Sequence, residues 1–534
     1  ASDSATVKLG ALTGLTMPVR VEDSIELDLA SGGSVELDTL AVIPGAGGWT
    51  RLDVHSGSAL SLPAATTLED VRFFADGNGQ ILVNGGSPAT LSTADLMWGV
   101  GTYDVITASG AATQIDLSAV QSWSAAFDDG SGAGTIHRVS SSDNATVKLG
   151  ALTGLTMPVR AEDSIEFDLA SGGSVELDTL AVIPGAGGWT QFDVHASSSL
   201  SLPAATTLED VRFWADGGGQ ILVTGPSAVS YSTVGQIWVG GTYILMRALD
   251  AGSLIDLSSV QSIDGAFVAP SGMQVTHRID ANGGTIDLDG VTSFNTGFND
   301  KTNAASTYQI WARNGGAIDL QQLTNLPLPS RVEDGVDVDL SSGGSVDLSA
   351  LAVVPGTGGH LVLDVHAGSS LSLPAATTLE DVRFLADGGG KIFVNGASPV
   401  SWSTADLMWG VGTYDAVNAS GANTLIDLSA VQSWNAGFDD SSGAASSHVV
   451  SASGSATVKL GALTGLTMPV RVEDSITFDL ASSGSVELDT LAVIPGAGGW
   501  TRLDVHSGSS LSLPAVSYTH LRAHETYEGI SYSV

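Results

Sequence analysis

One apolar residue, a second residue of any kind and another apolar residue recur along this chain: Val7/Leu9, Val35/Leu37, Leu60/Leu62, Ile81/Val83, Ile115/Leu117 and Val147/Leu149. The spacings are 28, 25, 21, 34 and 32 residues. Nineteen such triplets run to Leu511/Leu513, each with Val, Leu or Ile at both outer positions. Alternation with period two puts the outer side chains on one face of a strand. Most intervals hold a second alternation before a Gly-rich corner, as in Ile25-Glu26-Leu27-Asp28-Leu29 ahead of Gly32-Gly33 and Leu52-Asp53-Val54 ahead of Gly57. The pattern predicts two or three short strands per interval, joined by turns.

A longer period of 140 residues encloses these intervals: residues 5–144 recur at 145–284, again at 317–455 and in part at 456–515. The segment "ATVKLGALTGLTMPVRVEDSI" beginning at Ala5 is repeated verbatim at Ala456. Between the second and third copies, residues 285–316 add one more interval with its own triplet, Ile286/Leu288, and its own corner, Asn314-Gly315-Gly316. A solenoid accepts an extra whole coil because each coil touches only its neighbours, whereas a closed sandwich must open a sheet to admit it. The expected fold is therefore all-β: a single-stranded parallel β-helix (β-solenoid) of about 18 coils, continuous over residues 1–515. Parallel crossovers favour a right-handed coil. Stacking at about 4.8 Å per coil gives a rod on the order of 85 Å.

Composition supports a folded chain: 66 Gly, 43% hydrophobic and only 14% charged residues leave ample apolar surface to bury. The formal charge is −38, from 57 acidic and 19 basic residues, which disfavours nucleic acid and anionic membrane surfaces as partners. No apolar run approaches the roughly 20 residues that span a bilayer, and no signal-peptide pattern opens the chain at Ala1. The absence of cysteine excludes disulfides and thiolate chemistry.

Candidate chemistry lies on the outward positions. The middle residues of successive triplets form a column in which Asp256, Asp287, Asp319 and Asp347 follow one another without an intervening Lys. Oxygen ligands about 5 Å apart suit a hard cation such as Ca²⁺; carboxylates splayed into water are the competing reading. Leu82, Leu222 and Phe393 share this column, and the segment "TADLMWGVGTY" at 93–103 is expected to fold back as a cover. Trp98, Trp238 and Trp409 in that segment and its copies are packing residues first and candidates for stacking on sugar rings second. The recurring "LDVH" sets Asp53/His55, Asp193/His195, Asp364/His366 and Asp504/His506 on the outer side of a strand. Such pairs resemble part of a triad or a metal pair, but no serine elbow or cysteine accompanies them, so a surface ladder is preferred. "RVED" (20–23, 331–334, 471–474) and "LEDVR" (68–72) are expected to hold corners through local ion pairs. The tail "VSYTHLRAHET" at 516–526 looks like a translated sequencing-library adapter. Residues 516–534, with His520, Arg522, His524 and Glu525, are accordingly left out of functional reasoning.

Rungs such as "SVELDTLAV" resemble the pectin-lyase-like β-helix superfamily, and in character the bacterial surface repeat proteins and filamentous adhesins of that fold. The resemblance implies an extracellular or bacterial cell-surface location and a non-catalytic, structural or adhesin-like rod. Its partner would be an extracellular polysaccharide or a host or cell-surface ligand. Enzymes of the superfamily that cleave acidic polysaccharides are similar to grooves in which Asp or Glu holds calcium and an Arg or Lys takes the proton. No Lys or Arg occupies the outward positions from Asp256 to Asp347. A polysaccharide lyase or glycoside hydrolase is thus the second expectation, and a carbohydrate-binding rod the third. No catalytic residue and no organic cofactor are expected.

Overall fold

The computed structural model describes residues 1–514 apart from positions 2, 46, 129, 131, 186, 236–238, 268–272, 299–304, 409, 440–442 and 497. Among the described residues there are strands and turns but no helix.

The coil that begins at Ser164 shows how sequence becomes structure. In the strand Ser164–Ala170, Ile165, Phe167 and Leu169 are fully buried while Glu166 and Asp168 face outward. A corner follows at Ser171 and Gly172, both left-handed with φ of 51° and 80°, a conformation that costs glycine little. Gly173 is required for a different reason: a Cβ there would lie 2.0 Å from the carbonyl oxygen of Ser141 on the preceding coil. The triplet strand Ser174–Glu176 then turns Val175 and Leu177 inward, and Val182–Ile183 closes the coil.

Each strand continues a ladder. Ser164–Ala170 pairs in parallel register with Ile136–Ser142 before it and Trp189–Val194 after it. Ser174–Glu176 does so with Thr146–Lys148 and Ser199–Ser201, and Val182–Ile183 pairs with Thr207–Glu209. One coil thus feeds three separate parallel sheets. This is the parallel β-helix expected from the triplets. Burying each Val, Leu or Ile contributes roughly 1.5–3 kcal/mol. The turn residue Thr179 adds a bond between coils, its hydroxyl lying 2.8 and 3.0 Å from the carbonyl oxygens of Gly150 and Leu152.

The chain divides into two compact units. The first comprises Ala1–Trp238, Leu245–Ser262 and Gly284–Asp287; the second comprises Val239–Ile244, Ile263–Gly283 and Leu288–Val534. In the first, Phe192 stacks between Phe167 and Phe213, with ring centroids 5.1 and 5.9 Å away. In the second, Trp402 stacks on Trp434 at 4.6 Å and Phe267 on Phe298 at 4.3 Å. There the strand Thr307–Arg313 of the added interval pairs in register with both Val275–Asn282 and Gly335–Ser341, as an inserted whole coil should.

Leu177 and Leu288 are fully buried, but Leu9 is 41% exposed. The strand just before it, Thr6–Lys8, pairs on one side only, with Ser34–Glu36.

Candidate functional site

In the acidic column, register sets Asp256 beside Asp287 and Asp319 beside Asp347. Three of the four carboxylates cap their own turn: Oδ1 of Asp256, Asp319 and Asp347 accepts from the backbone N–H of Ser258, Gln321 and Ser349 at 3.0, 3.0 and 2.9 Å. Asp116 and Asp427, at the same place in other coils, do likewise. An aspartate binding the amide two residues on is a turn device. Burial raises the Asp319 carboxyl, against the cap and with the charges of Asp347 and Asp289.

Trp98 stacks on Trp49 with ring centroids 5.5 Å apart and meets Tyr103 edge-on at 4.8 Å. The Tyr103 hydroxyl closes the loop by donating to Gly99 O at 2.7 Å and accepting from Trp98 N at 3.1 Å. The loop folds back, but not as the expected cover: the Trp98 ring lies on the sheet that carries Trp49, whereas Leu82 belongs to another sheet and is half-buried. Trp238 and Trp409 lie outside the described residues.

The corner motifs divide their labour more finely than ion pairs alone. Arg331 does pair with Glu333, and Arg471 with Glu473 and Asp439. Yet the Asp that ends the motif at Asp334 and Asp474, and its "RAED" variant (160–163) at Asp163, is fully buried and reaches back one coil to accept from the backbone N–H of Ser306, Ser446 and Thr135 at 2.8 to 2.9 Å. In "LEDVR", Arg72 Nε donates to the Asp104 carbonyl at 2.7 Å instead of pairing within the motif. Asp70 is buried in a left-handed turn, and burial, then the charge of Asp95, pushes its carboxyl up to about 7. Backbone groups one coil away were the partners that local spacing could not reveal.

The "LDVH" residues form the densest ionisable cluster, and register builds it. Asp168 on the preceding strand stands beside Asp193, and His195 follows Asp193 on the same face. Asp216 directly follows the next coil's strand, Val211–Ala215, and lies beside His195. The imidazole Nδ1 lies 2.8 Å from Asp216 Oδ1, while Nε2 faces Asp168 and Asp193, each at 3.5 Å. His366 repeats this, with Nδ1 2.9 Å from Asp387 and Nε2 3.7 and 3.6 Å from Asp339 and Asp364. His55 has Asp76 at 2.8 Å from Nδ1 and Asp53 at 2.9 Å from Nε2. For His195, burial opposes the charged form, but the bond to Asp216 and the charges of Asp193, Asp216 and Asp168 prevail and raise its pKa. Burial, relieved in part by His195, pushes the Asp193 carboxyl up to about 6. The signal was present in the sequence as a constant spacing: Asp28/Asp53/Asp76, Asp168/Asp193/Asp216 and Asp339/Asp364/Asp387 are all separated by 25 and 23 residues.

Two further features went unread. His137, His277 and His448 are fully buried. His137 Nδ1 sits 3.1 Å from the Thr93 hydroxyl, which also receives Trp123 Nε1 at 3.1 Å; His448, Thr404 and Trp434 repeat the arrangement at 3.0 Å. Burial pushes His137 and His448 down to about 3, so both are neutral core donors and acceptors. In the second unit a groove of about 520 Å³ runs over the strands Thr378–Glu380, Val400–Ser403, Val431–Asn435 and Gly465–Thr467. Glu380, Ser401, Ser403, Ser433, Asn435 and Thr467 line it.

Fold and outward chemistry together define an all-parallel β-helical repeat protein. No protein-family model matches the chain, and no curated protein matches it either.

Proposed function

We propose that this chain is a non-catalytic structural or adhesin-like repeat protein of the extracellular space or bacterial cell surface, each unit serving as a stiff spacer that displays binding surface. One observation supports this above the others: polar side chains at the corners and on the outer faces are engaged in bonds from one coil to the next. Thr179, Asp163, Arg72 and His195 all bond across coils, and equivalents recur in other copies. Side chains committed to such bonds stiffen a stack.

Calcium on Asp256, Asp287, Asp319 and Asp347 belongs to the same proposal, supported by the register that sets Asp256 beside Asp287 in one unit and Asp319 beside Asp347 in the other; calorimetry without Ca²⁺ uptake dismisses it. A carbohydrate-binding role is the second reading, favoured by the hydroxyl-lined groove at Ser401, Ser433 and Thr467. Incubation with polyuronates and neutral glycans decides among them. Release of unsaturated or reducing-end products overturns the structural reading in favour of a lyase or hydrolase. Binding without turnover, lost in Ser433→Trp, establishes the second reading. Neither product nor binding, with resistance to protease digestion, is the outcome expected of a spacer.

A further inference from the structure

We propose that the Asp–Asp–His–Asp clusters at the ends of the long strands are binding sites for a borderline divalent cation of the zinc class, with the second superrepeat's cluster as the clearest. Ionised Asp216 can only accept, so the 2.8 Å contact fixes the proton of a neutral His195 on Nδ1. That leaves the Nε2 lone pair directed away from Asp216, toward Asp168 and Asp193. At 3.5 Å, neither of these oxygens has a hydrogen bond to Nε2. Ligand atoms about 3.3 Å apart are what a tetrahedral ion with bonds of about 2.0 Å requires. Among the described residues, Asp193, His195 and Asp216 are the one grouping of at least three metal-ligating side chains whose donor atoms lie within 4.8 Å of one another; in it Asp193 and His195 are the ligands and Asp216 orients the imidazole, with Asp168 facing Nε2 from the preceding coil. A carboxylate that orients a ligating imidazole through its far nitrogen is the usual outer-shell partner of such ions.

The first copy supplies an independent sign. Asp53 is 5% exposed, its Oδ2 is taken by Arg51, and its Oδ1 has no hydrogen bond although His55 Nε2 is only 2.9 Å away. Nitrogen and oxygen are close without being aligned as donor and acceptor, as two ligands of one ion are. The contact is ionic without a hydrogen bond, which compensates the buried oxygen only in part.

Divergence among the copies points the same way. On the same face, Arg51 becomes Gln191 and Val362, and Phe74 becomes Trp214 and Leu385. The three Asp and the His are kept in all three full-length copies of the superrepeat. The mixture of one imidazole with carboxylates selects zinc-class ions over Ca²⁺ or Mg²⁺, which prefer oxygen alone. An ion held there ties consecutive coils together.

The test uses the full chain carrying His520→Ala and His524→Ala, so that tail imidazoles contribute nothing. Titration with Zn²⁺, and with Co²⁺ followed by its visible absorption, is expected to fill up to three sites with imidazole ligation. His195→Gln should remove one equivalent, and His195→Gln with His366→Gln two. Asp216→Asn keeps the ligand but not its orientation, and should weaken that site by about tenfold to a hundredfold. Unchanged circular dichroism of the metal-free variants separates lost ligation from lost fold. Binding that survives His55→Gln, His195→Gln and His366→Gln together, Ca²⁺ uptake at the same sites with equal affinity, or no Co²⁺ spectrum at all overturns the proposal.

Discussion

The same 21 residues occur at 5–25 and at 456–476, and they fold to different degrees. Val458, Leu460, Leu463 and Ile476 are fully buried, whereas Val7 and Leu9 are 39% and 41% exposed and Leu12 and Ile25 only half-buried. Residues 465–467 form a strand paired with Ser433, Trp434 and Asn435; residues 14–16 form none. Asp474 is buried and accepts from Ser446 N, while Asp23 is exposed. Bonds to the following coil are alike in both, Leu9 N to Glu36 O and Leu460 N to Glu487 O. What differs is the preceding coil, which gives residues 456–476 the carbonyls of Thr424, Gln432 and Phe438. Half of a coil's order therefore comes from its neighbour and not from its own sequence.

The sharpest way to break this comparison is a charge in the core. Leu460→Asp should cost more than about 4 kcal/mol, because it buries an unpaired carboxylate. Leu9→Asp should cost less than about 1 kcal/mol in the same denaturant titration. Equal losses would mean that the first coil is as tightly held as the inner one.

Acid sharpens it further. His448 lies in the strand Ser447–Ser453, directly beside Ser475–Ala481. Its pKa is pushed down to about 3 in the fold from 6.5, so the unfolded chain binds the proton more readily. The stability it supplies is complete above about pH 6.5 and is lost as pH falls toward about 3, at about 1.4 kcal/mol per unit. Hydrogen-exchange protection factors in Ser475–Ala481 should fall from pH 6.5 to pH 4, and His448→Gln should flatten that fall. The first copy, Ser24–Leu29, lacks such a neighbour and should show none of it.

The smallest contrast concerns the exposed pair Lys8–Glu36 at 2.8 Å. Lys8→Ala should leave the unfolding midpoint unmoved within error at 0.15 M salt, because exposed pairs are screened and carry side-chain entropy.

Much of the fold was legible in the triplets. Val35/Leu37, Ile115/Leu117, Val175/Leu177 and Ile286/Leu288 are all buried, as period-two alternation requires. The candidate site was legible only in part. Asp193 and His195 are neighbours in the sequence, but Asp168 and Asp216 join them through register, across separations that no local motif spans. The acidic column was found at its expected place, yet its oxygens turned out to bind backbone amides two residues on, which the residue types alone did not disclose.

By itself the sequence determined which side chains go inward, where the coil corners fall and that an extra coil could be inserted, because these follow from alternation and from glycine at left-handed or crowded positions. Only the tertiary structure decided which polar groups meet. His195, Asp163 and Asn78 find their partners on coils 21, 28 and 35 residues away, at a register set by backbone ladders and not by the residue itself. The two identical segments carry the same information inward, and their neighbours alone made one a core and the other a surface.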